Sequence, residues 1–332
     1  MTNPNTNSLA PAPERYSLRE RLPSLSVLGP LLALILAVIF FSLRAPNFMS
    51  GQNFSLILQQ VAVLGVLAIG QTLVILTAGI DLSNGMIMAL GNILVTKLAV
   101  TAGAPPALAI LGALAVTTAL GFLNGTLITR LRLPPFIVTL GMLNIVFALT
   151  QIYSGSQTVT NLPNALNWLG TTFRIGSTAV TYGTVLMLLL YLITALVLSQ
   201  TAPGRHLYAV GNNPEAARLT GIPTQRVILS VYTVAGLLYG IAALVLVART
   251  GAGDPNAGST ENLDSITAVV LGGTSLFGGR GLLIGTLIGA LIVGVFRNGL
   301  TLMGVPSVYQ ILITGILVIL AVATDQFSRR RS

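Results

Sequence analysis

Residues Leu25 to Leu43 read LSVLGPLLALILAVIFFSL, an apolar run that contains no charged residue. A helix of about 20 apolar residues crosses the hydrocarbon core of a bilayer. The run is longer than the apolar core of a signal peptide, and no small-x-small cleavage site closes it. We therefore expect it to be retained as a first membrane helix.

The rest of the chain repeats this pattern. Of 332 residues, 53% are hydrophobic and 8% are charged, whereas a soluble domain carries roughly 25% charged residues. The sequence therefore predicts an all-α, polytopic integral membrane protein with about ten transmembrane helices. The predicted spans are Leu25–Leu43, Phe54–Thr77, Leu82–Val100, Ala107–Ile128, Phe136–Tyr153, Tyr182–Leu198, Val227–Val247, Ser265–Phe277, Leu282–Leu300 and Val308–Ala323.

A single transmembrane domain, residues 25–325, is expected to fill almost the whole chain. The polar segments are predicted to be a cytoplasmic N-terminal tail (1–24), a cytoplasmic loop (201–226) and a basic cytoplasmic tail (326–332). With both termini in the cytoplasm, most of the 17 Lys and Arg residues lie on the inner side, as the positive-inside tendency requires. The positive residues behind the formal net charge of +9 are thus explained by membrane orientation. We therefore expect no nucleic-acid partner.

Two distant segments of the chain resemble each other. Residues 121–125 read GFLNG and precede Pro134, and residues 294–299 read GVFRNG and precede Pro306. They lie in the fourth and ninth predicted helices, which run in opposite directions, as in an inverted repeat of helices 2–5 and 7–10. The alternative is that Asn-Gly only marks two helix ends.

The chain lacks the side chains that most enzyme sites require. It has no cysteine, one histidine, His206, and one lysine, Lys97. A metal site of His and Cys ligands is impossible, no nucleophile elbow surrounds His206, and Lys97 belongs to no phosphate-binding loop. We therefore expect no enzyme activity, no cofactor and no metal, and any ATP that drives the protein must be hydrolysed by another chain.

The predicted cytoplasmic loop contains the signals of a short helix. Asn213 is a suitable N-cap, Pro214 suits the first helical position, and Glu215 complements the positive helix start. Arg218 falls toward the negative end, and Gly221 is placed to terminate the helix.

The same short helix would carry two small residues side by side, Ala216 and Ala217. One interpretation is an interfacial loop helix without a partner. The other is a docking helix whose small face enters a groove on a second protein.

Asp81 is an acidic residue close to the membrane, and such residues are functional candidates. We expect it to cap the third helix together with Ser83; the alternative is that it lines a translocation path or relays a proton. Polar side chains within spans form interhelical hydrogen bonds more often than ligand contacts. The candidates for lining a path are Asp81, Asn92, Asn124, Phe136 and Asn144.

Three passages resemble the permease subunits of the ribose, xylose and arabinose group of bacterial ABC importers, the ribose permeases above all. They are residues 70–83 (GQTLVILTAGIDLS), 211–222 (GNNPEAARLTGI) and 263–281 (LDSITAVVLGGTSLFGGRG). The similarity extends over roughly residues 47–325. Two residues depart from the family pattern: Asn84 replaces a small or aliphatic residue, which leaves the solute open, and Pro214 interrupts the Asn-x-Glu-Ala-Ala run.

The resemblance implies a subunit that imports a sugar, a pentose or hexose, or a similar small polar solute across the bacterial inner membrane. It implies an ABC ATPase subunit, a periplasmic solute-binding protein and a second permease subunit, expected as a homodimer. The residues implied to contact the ATPase are Gly211, Asn213, Pro214, Glu215, Ala216, Ala217, Arg218 and Gly221.

Other cargoes and another energy source stay open at this point. Related permeases carry a furanosyl signalling molecule, nucleosides or branched-chain amino acids. A secondary transporter driven by an ion gradient would require intramembrane acids, and the predicted spans contain none beside Asp81. Asp254, Glu261 and Asp264 are predicted in the outer loop, where a binding protein with basic residues can dock.

Overall fold

The computed structural model describes residues 25–330, so the predicted N-terminal tail, 1–24, lies outside the described residues. Within that range the regular structure consists of twelve α-helices, two short 3-10 helices (Asn164–Leu166 and Trp168–Gly170) and one antiparallel β-hairpin. The helices are α1 Leu25–Arg44, α2 Gly51–Leu76, α3 Asn84–Val100, α4 Pro106–Arg130, α5 Pro135–Ser154, α6 Tyr182–Gln200, α7 Ala202–Asn212, α8 Pro214–Leu219, α9 Thr224–Thr250, α10 Glu261–Leu271, α11 Leu283–Leu302 and α12 Ser307–Arg330. The strands are β1 Thr172–Ile175 and β2 Thr178–Thr181.

Nine of the ten predicted spans correspond to apolar helices of the described chain. Seven of these helices are long and apolar enough to cross a membrane, and α3 and the Ser307–Leu317 part of α12 are shorter apolar helices. The eighth predicted span is wrong as a crossing helix, because α10 has only 11 residues and is about 16 Å long, against about 30 Å of hydrocarbon. Helix α12 continues through Arg330, so residues 326–330 of the predicted tail are helical.

Helix α2 runs the full length of the bundle and defines its two ends. Its first residue, Gly51, lies against Ser177 in the turn of the β-hairpin. At its other end, the carbonyl oxygen of Leu76 accepts a hydrogen bond from Gly279 N–H at 3.0 Å and contacts Gly211 of α7. We call these the hairpin end and the α8 end of the bundle.

Helices α3 and α10 begin inside the bundle. Nδ2 of Asn84, at the start of α3, donates to Oε1 of Gln71 at 3.0 Å and to Oγ of Ser265 at 2.8 Å. Gly258, just before α10, lies against the backbone of Gly85. The N-termini of the two helices therefore meet within the protein, each reached by an irregular segment, and such backbone is tolerated at membrane depth only where protein covers it.

The packing partners of the helices follow the predicted repeat. In the first half, α3 packs on α4 and α5; in the second half, α10 packs on α11 and α12. Contacts between the two halves also occur in equivalent pairs. Helices α3 and α4 of the first half pack on α9, and their counterparts α10 and α11 of the second half pack on α2. This correspondence matches α2–α5 with α9–α12, which are the predicted helices 2–5 and 7–10.

The two Asn-Gly pairs lie inside helices, so the interpretation of them as helix ends is wrong. Asn124 is fully buried in α4, which continues to Arg130. Asn298 is 5% exposed in α11, and its Nδ2 donates to Oδ1 of Asn53 in α2 at 2.9 Å. Nδ2 of Asn124 donates to Oγ of Ser83, just before α3, at 3.0 Å. Each asparagine thus bonds to a distant part of the chain, because an unpaired amide in an apolar bundle is costly.

Helices α4 and α9 touch along glycines. A Cβ at Gly121 would collide with the carbonyl oxygen of Tyr232 and would lie 2.9 Å from Cα of Gly236. Small residues at such positions let helix backbones approach closely where lipid supplies no hydrophobic drive.

We expect Gly121→Ala to destabilise the fold by about 1–3 kcal/mol, since the added methyl group meets backbone atoms that cannot move aside. The measurement is thermal unfolding in detergent, followed by loss of the monodisperse peak in size-exclusion chromatography. Gly29→Ala is the control, because no atom of the described residues lies within 4 Å of a Cβ there. Equal midpoints for both variants would contradict this account of the α4–α9 contact.

Candidate functional site

The predicted docking helix is α8, and its ends are capped as the sequence indicates. Oδ1 of Asn213 accepts hydrogen bonds from the backbone N–H groups of Glu215 and Ala216, at 3.1 and 3.0 Å. Pro214 is the first helical residue. Gly221 adopts a φ of 87°, a conformation that glycine adopts at low cost beyond a helix end.

One ion pair lies on the surface of α8. Arg218 donates from Nη2 to Oε1 of Glu215 at 2.6 Å and from Nε to Oε2 at 3.1 Å. These hydrogen bonds and the charge of Arg218 lower the pKa of Glu215 below its ordinary value. Exposed pairs contribute little to stability, so this pair mainly determines which charges α8 presents to solvent.

Of the two small residues expected on the docking face of α8, only one is accessible to a partner. Ala216 is exposed, but Ala217 is 5% exposed and belongs to the core of the chain. Ala217 is therefore a packing residue, which corrects its assignment to an accessible docking face. Leu219 is 74% exposed and follows Ala216 by three positions, so both project from one side of the helix.

Gly211 also has a role inside the chain. A Cβ there would collide with the carbonyl oxygen of Leu76 and would lie 2.7 Å from Gly279 N. Gly211 therefore joins the end of α7 to the end of α2, and it does not lie on the surface of α8. The end of α7 and the last turn of α2 are thus in direct backbone contact.

Asp81 lies in the irregular segment between α2 and α3 and is fully buried. Its Oδ1 accepts hydrogen bonds from Ser83 N–H at 2.8 Å and Ser83 Oγ at 2.6 Å, and its Oδ2 accepts one from the hydroxyl of Tyr239 at 3.2 Å. The expected joint cap is thus half right: Asp81 binds the backbone before α3, whereas Ser83 makes no side-chain cap of its own.

Two of the other path candidates are also fully buried, Asn92 and Asn124. Nδ2 of Asn124 donates to Oγ of Ser83 at 3.0 Å, which places it in the Asp81 network. Oδ1 of Asn92 accepts a hydrogen bond from Asp254 N–H at 3.0 Å. Both side chains hold irregular segments in place, as expected for polar groups within a helical membrane bundle.

The last two path candidates, Phe136 and Asn144, lie on the outer surface of α5. Phe136 is 47% exposed, and the exposed Asn144 donates from Nδ2 only to the carbonyl oxygen of Leu140 in its own helix, at 3.1 Å. The structure therefore separates the five candidates into a buried group around α3 and a surface group on α5.

Two acids expected to dock a partner are engaged within the chain. Glu261 and Asp264 belong to α10, and their carboxylates accept from Nη1 of Arg297 at 3.3 and 3.1 Å. Their side chains are 17% and 7% exposed, so neither is free for a protein surface. Asp254 remains as the acid of the predicted outer loop outside this cluster.

The family of the chain follows from comparison with known proteins. Residues 53–322 match the family model described as branched-chain amino acid transport system / permease component. The chain belongs to this permease family. The relationship indicated by the three sequence passages is thereby confirmed, and permeases are transport components, not enzymes.

Several curated permeases are similar to this one over most of their length. It is 47% identical to the fructose import permease protein FrcC of Rhizobium meliloti, covering 91% of this chain and 85% of that one. It is 42% identical to the ribose import permease protein RbsC of Bacillus subtilis, covering 90% and 92%. It is 33% identical to the xylose transport system permease protein XylH of Escherichia coli, covering 93% and 94%.

Sequence reasoning did not predict the surroundings of two residues of the permease, Leu219 and Asn84. Leu219 was passed over because its exposure depends on which face of α8 packs on α9. Asn84 was noted only as a departure from the family pattern, yet it joins α2, α3 and α10 through Gln71 and Ser265. A polar residue after Asp-Leu-Ser in an apolar region was the available signal.

We expect Asp81→Asn to keep most of the transport activity of the permease and Asp81→Ala to lose it. Asparagine keeps an oxygen for Ser83, and the Tyr239 hydroxyl can turn to accept from the new amide, whereas alanine leaves buried donors unpaired at about 1–3 kcal/mol each. The measurement is solute uptake in cells, normalised to the amount of permease in the membrane. Near-total loss in Asp81→Asn at normal membrane levels would contradict the capping role and favour a charged or proton-carrying one.

Proposed function

We propose that this permease is the membrane-spanning subunit of an ATP-driven importer that moves a sugar, a pentose or a hexose, across the bacterial inner membrane. It works with an ABC ATPase subunit, a periplasmic solute-binding protein and a second copy of itself. The observation that carries this proposal is its similarity, over at least 90% of the chain, to permeases named for the import of fructose, ribose and xylose.

In this proposal the α8 end of the bundle faces the cytoplasm. Arg130 and Arg205 lie at or next to the ends of α4 and α6 there, and Arg226 and Arg280 lie near α8 and near the end of α2. Positive residues concentrate on the cytoplasmic side of membrane proteins. This orientation places α8 where an ATPase subunit can reach it.

The docking surface for the ATPase is the exposed side of α8. Glu215, Ala216 and Leu219 offer a charge, a small residue and an apolar side chain, which together suit a groove with an apolar floor and a basic rim. Movement of the ATPase is transmitted through Gly211 to Leu76 and so to the irregular segment that holds Asp81. The expected result is a shift of α3 and α10 relative to α2 and α9.

The second copy packs on α5. Asn144 is an exposed polar residue in an apolar helix, and no described residue lies within 4 Å of a Cβ at the neighbouring Gly141. Polar and small residues of membrane helices face other helices or a water-filled cavity, because lipid solvates neither well. We assign this face, with Phe136, to the contact between two subunits and to the path between them.

The transport test uses cells that produce the permease with its ATPase subunit and binding protein. Uptake of labelled D-fructose, D-ribose, D-xylose and L-leucine is measured with and without a protonophore while the ATP level is maintained. We expect at least one sugar to enter and the protonophore to have no effect, because the energy comes from ATP.

Two outcomes would contradict the proposal. Uptake of leucine without any sugar would assign the protein to an amino-acid cargo, which the family description also names. Collapse of sugar uptake by the protonophore at constant ATP would show an ion-gradient-driven transporter, and the buried Asp81 would become the proton-carrying candidate.

For the docking surface, we expect Leu219→Glu to reduce sugar uptake at least tenfold without lowering the amount of folded permease. The new charge disrupts an apolar contact with the ATPase, whereas the exposed position leaves the fold unchanged. Leu219→Met keeps the apolar contact and is the matched control. Normal uptake by Leu219→Glu would show that α8 does not dock through this side.

The same surface is tested by cross-linking. The chain has no cysteine, so a photo-reactive probe on Ala216→Cys reports from a single position. We expect it to capture the ATPase subunit, and Thr101→Cys at the hairpin end to capture none. Capture from both positions, or from neither, would contradict the assigned orientation of α8.

A further inference from the structure

A polar cavity lies near the hairpin end, enclosed by α2, α9, α10 and α11. It has a volume of about 220 Å³, and its polar lining comes from Gln60, Arg249, Glu261 and Arg297. The Arg297 side chain is 46% exposed, so the cavity opens toward the surface. The volume lies below the range of about 300–1,000 Å³ that holds drug-sized ligands, which suits a ligand of a single ring.

The arginine in the wall of this cavity is held in place by two carboxylates. Both Glu261 and Asp264 accept from the same nitrogen of Arg297, Nη1, at 3.3 and 3.1 Å. A guanidinium has five N–H donors in a fixed plane. Nη2 and Nε of Arg297 make no hydrogen bond to any side chain that the structure describes, so they remain available to a ligand.

Two further polar groups of the lining make no hydrogen bond with a described residue. Oε1 of Gln60 is buried and accepts no hydrogen bond. Arg249, in the last turn of α9, is attracted by the charge of Glu261 but makes no hydrogen bond with a described residue. Buried polar atoms are normally paired. The unpaired acceptor of Gln60 lies beside unused N–H donors of Arg249 and Arg297, so a ligand that both donates and accepts hydrogen bonds fits this cavity.

The charge of the cluster indicates what kind of ligand fits. Arg249 and Arg297 balance Glu261 and Asp264, so the formal charge of the four side chains is zero. A neutral cluster has no preference for an anion, and hydroxyl groups satisfy both its donors and its acceptors. Val63 and Val293 provide an apolar wall, which suits the C–H face of a sugar ring.

We propose that this cavity is the site where a neutral monosaccharide first binds the permease after release from the binding protein. Arg249 and Gln60 contact hydroxyl groups of the sugar, and Glu261 and Asp264 hold Arg297 in position to do the same. The proposal rests on the sugar-import function proposed above, and it names the part of the chain that receives the sugar.

The test uses the absence of cysteine in the chain. Val293→Cys places one thiol in the cavity wall, and its reaction with a membrane-impermeant methanethiosulfonate is timed in cells that contain the whole importer. D-fructose, D-ribose or D-xylose at millimolar concentration is expected to slow the reaction at least threefold for the sugar that is imported. Thr101→Cys, at the same end but outside the cavity, is expected to react at an unchanged rate.

A second arm identifies the contact residue. Arg249→Met is expected to abolish the protection by sugar and to raise the sugar concentration for half-maximal uptake at least tenfold, with permease levels unchanged. Arg174→Met, an arginine of β1 outside the cavity, is the matched control and is expected to change neither value. The ion pairs of Arg297 with Glu261 and Asp264 do not involve Arg249, so Arg249→Met removes one charge but leaves these two pairs in place.

The outcomes separate this proposal from the proposed function. If no sugar is imported by the wild-type protein, the sugar-import function fails first. If a sugar is imported, but the thiol is unreactive, is not protected, or is protected equally in Arg249→Met, the cavity is not the receiving site. Protection by inorganic phosphate without protection by any sugar would overturn the proposal in favour of an anion site.

Discussion

Helix backbones in this protein approach one another to distances that only glycine permits, and the rest of the structure depends on this constraint. Gly121 meets Gly236 between α4 and α9, and Gly272 meets Gly285 between α10 and α11. Lipid chains are as apolar as leucine, so burial alone cannot hold helices together in a bilayer. Close van der Waals contact and buried hydrogen bonds must supply the cohesion, and both require small residues at the contact.

Close packing of this kind also determines where the chain can leave regular structure. The segments before α3 and α10 lie within the bundle, where Gly85 and Gly258 touch and Asn84 binds both Gln71 and Ser265. Irregular backbone at that depth must find its hydrogen bonds inside the protein. The buried network of Asp81, Ser83, Asn124 and Tyr239 meets this requirement, which explains why polar residues are concentrated there.

A junction of three segments connects this interior to the surface helix. Leu76 at the end of α2, Gly211 at the end of α7 and Gly279 in the turn before α11 are in backbone contact, and Gly278 lies against Ala78. The residues between Leu76 and α3 carry Asp81. A short chain of backbone contacts therefore joins α8, through the end of α7, to the segment that leads into α3.

The sequence by itself determined the membrane class, nine of the apolar helices and the caps of α8, because these depend on composition or on residues within one helical turn. It did not determine that α10 is too short to cross the membrane. An apolar, glycine-containing sequence is compatible with both a helix and a buried turn, so composition does not show where the helix ends. Only the tertiary structure decided that Ala217 is buried beside an exposed Ala216, that Asn84 meets Ser265, and that Glu261 and Asp264 share Arg297. Such contacts join residues far apart in the chain, and their geometry depends on how closely whole helices approach, which no local pattern records.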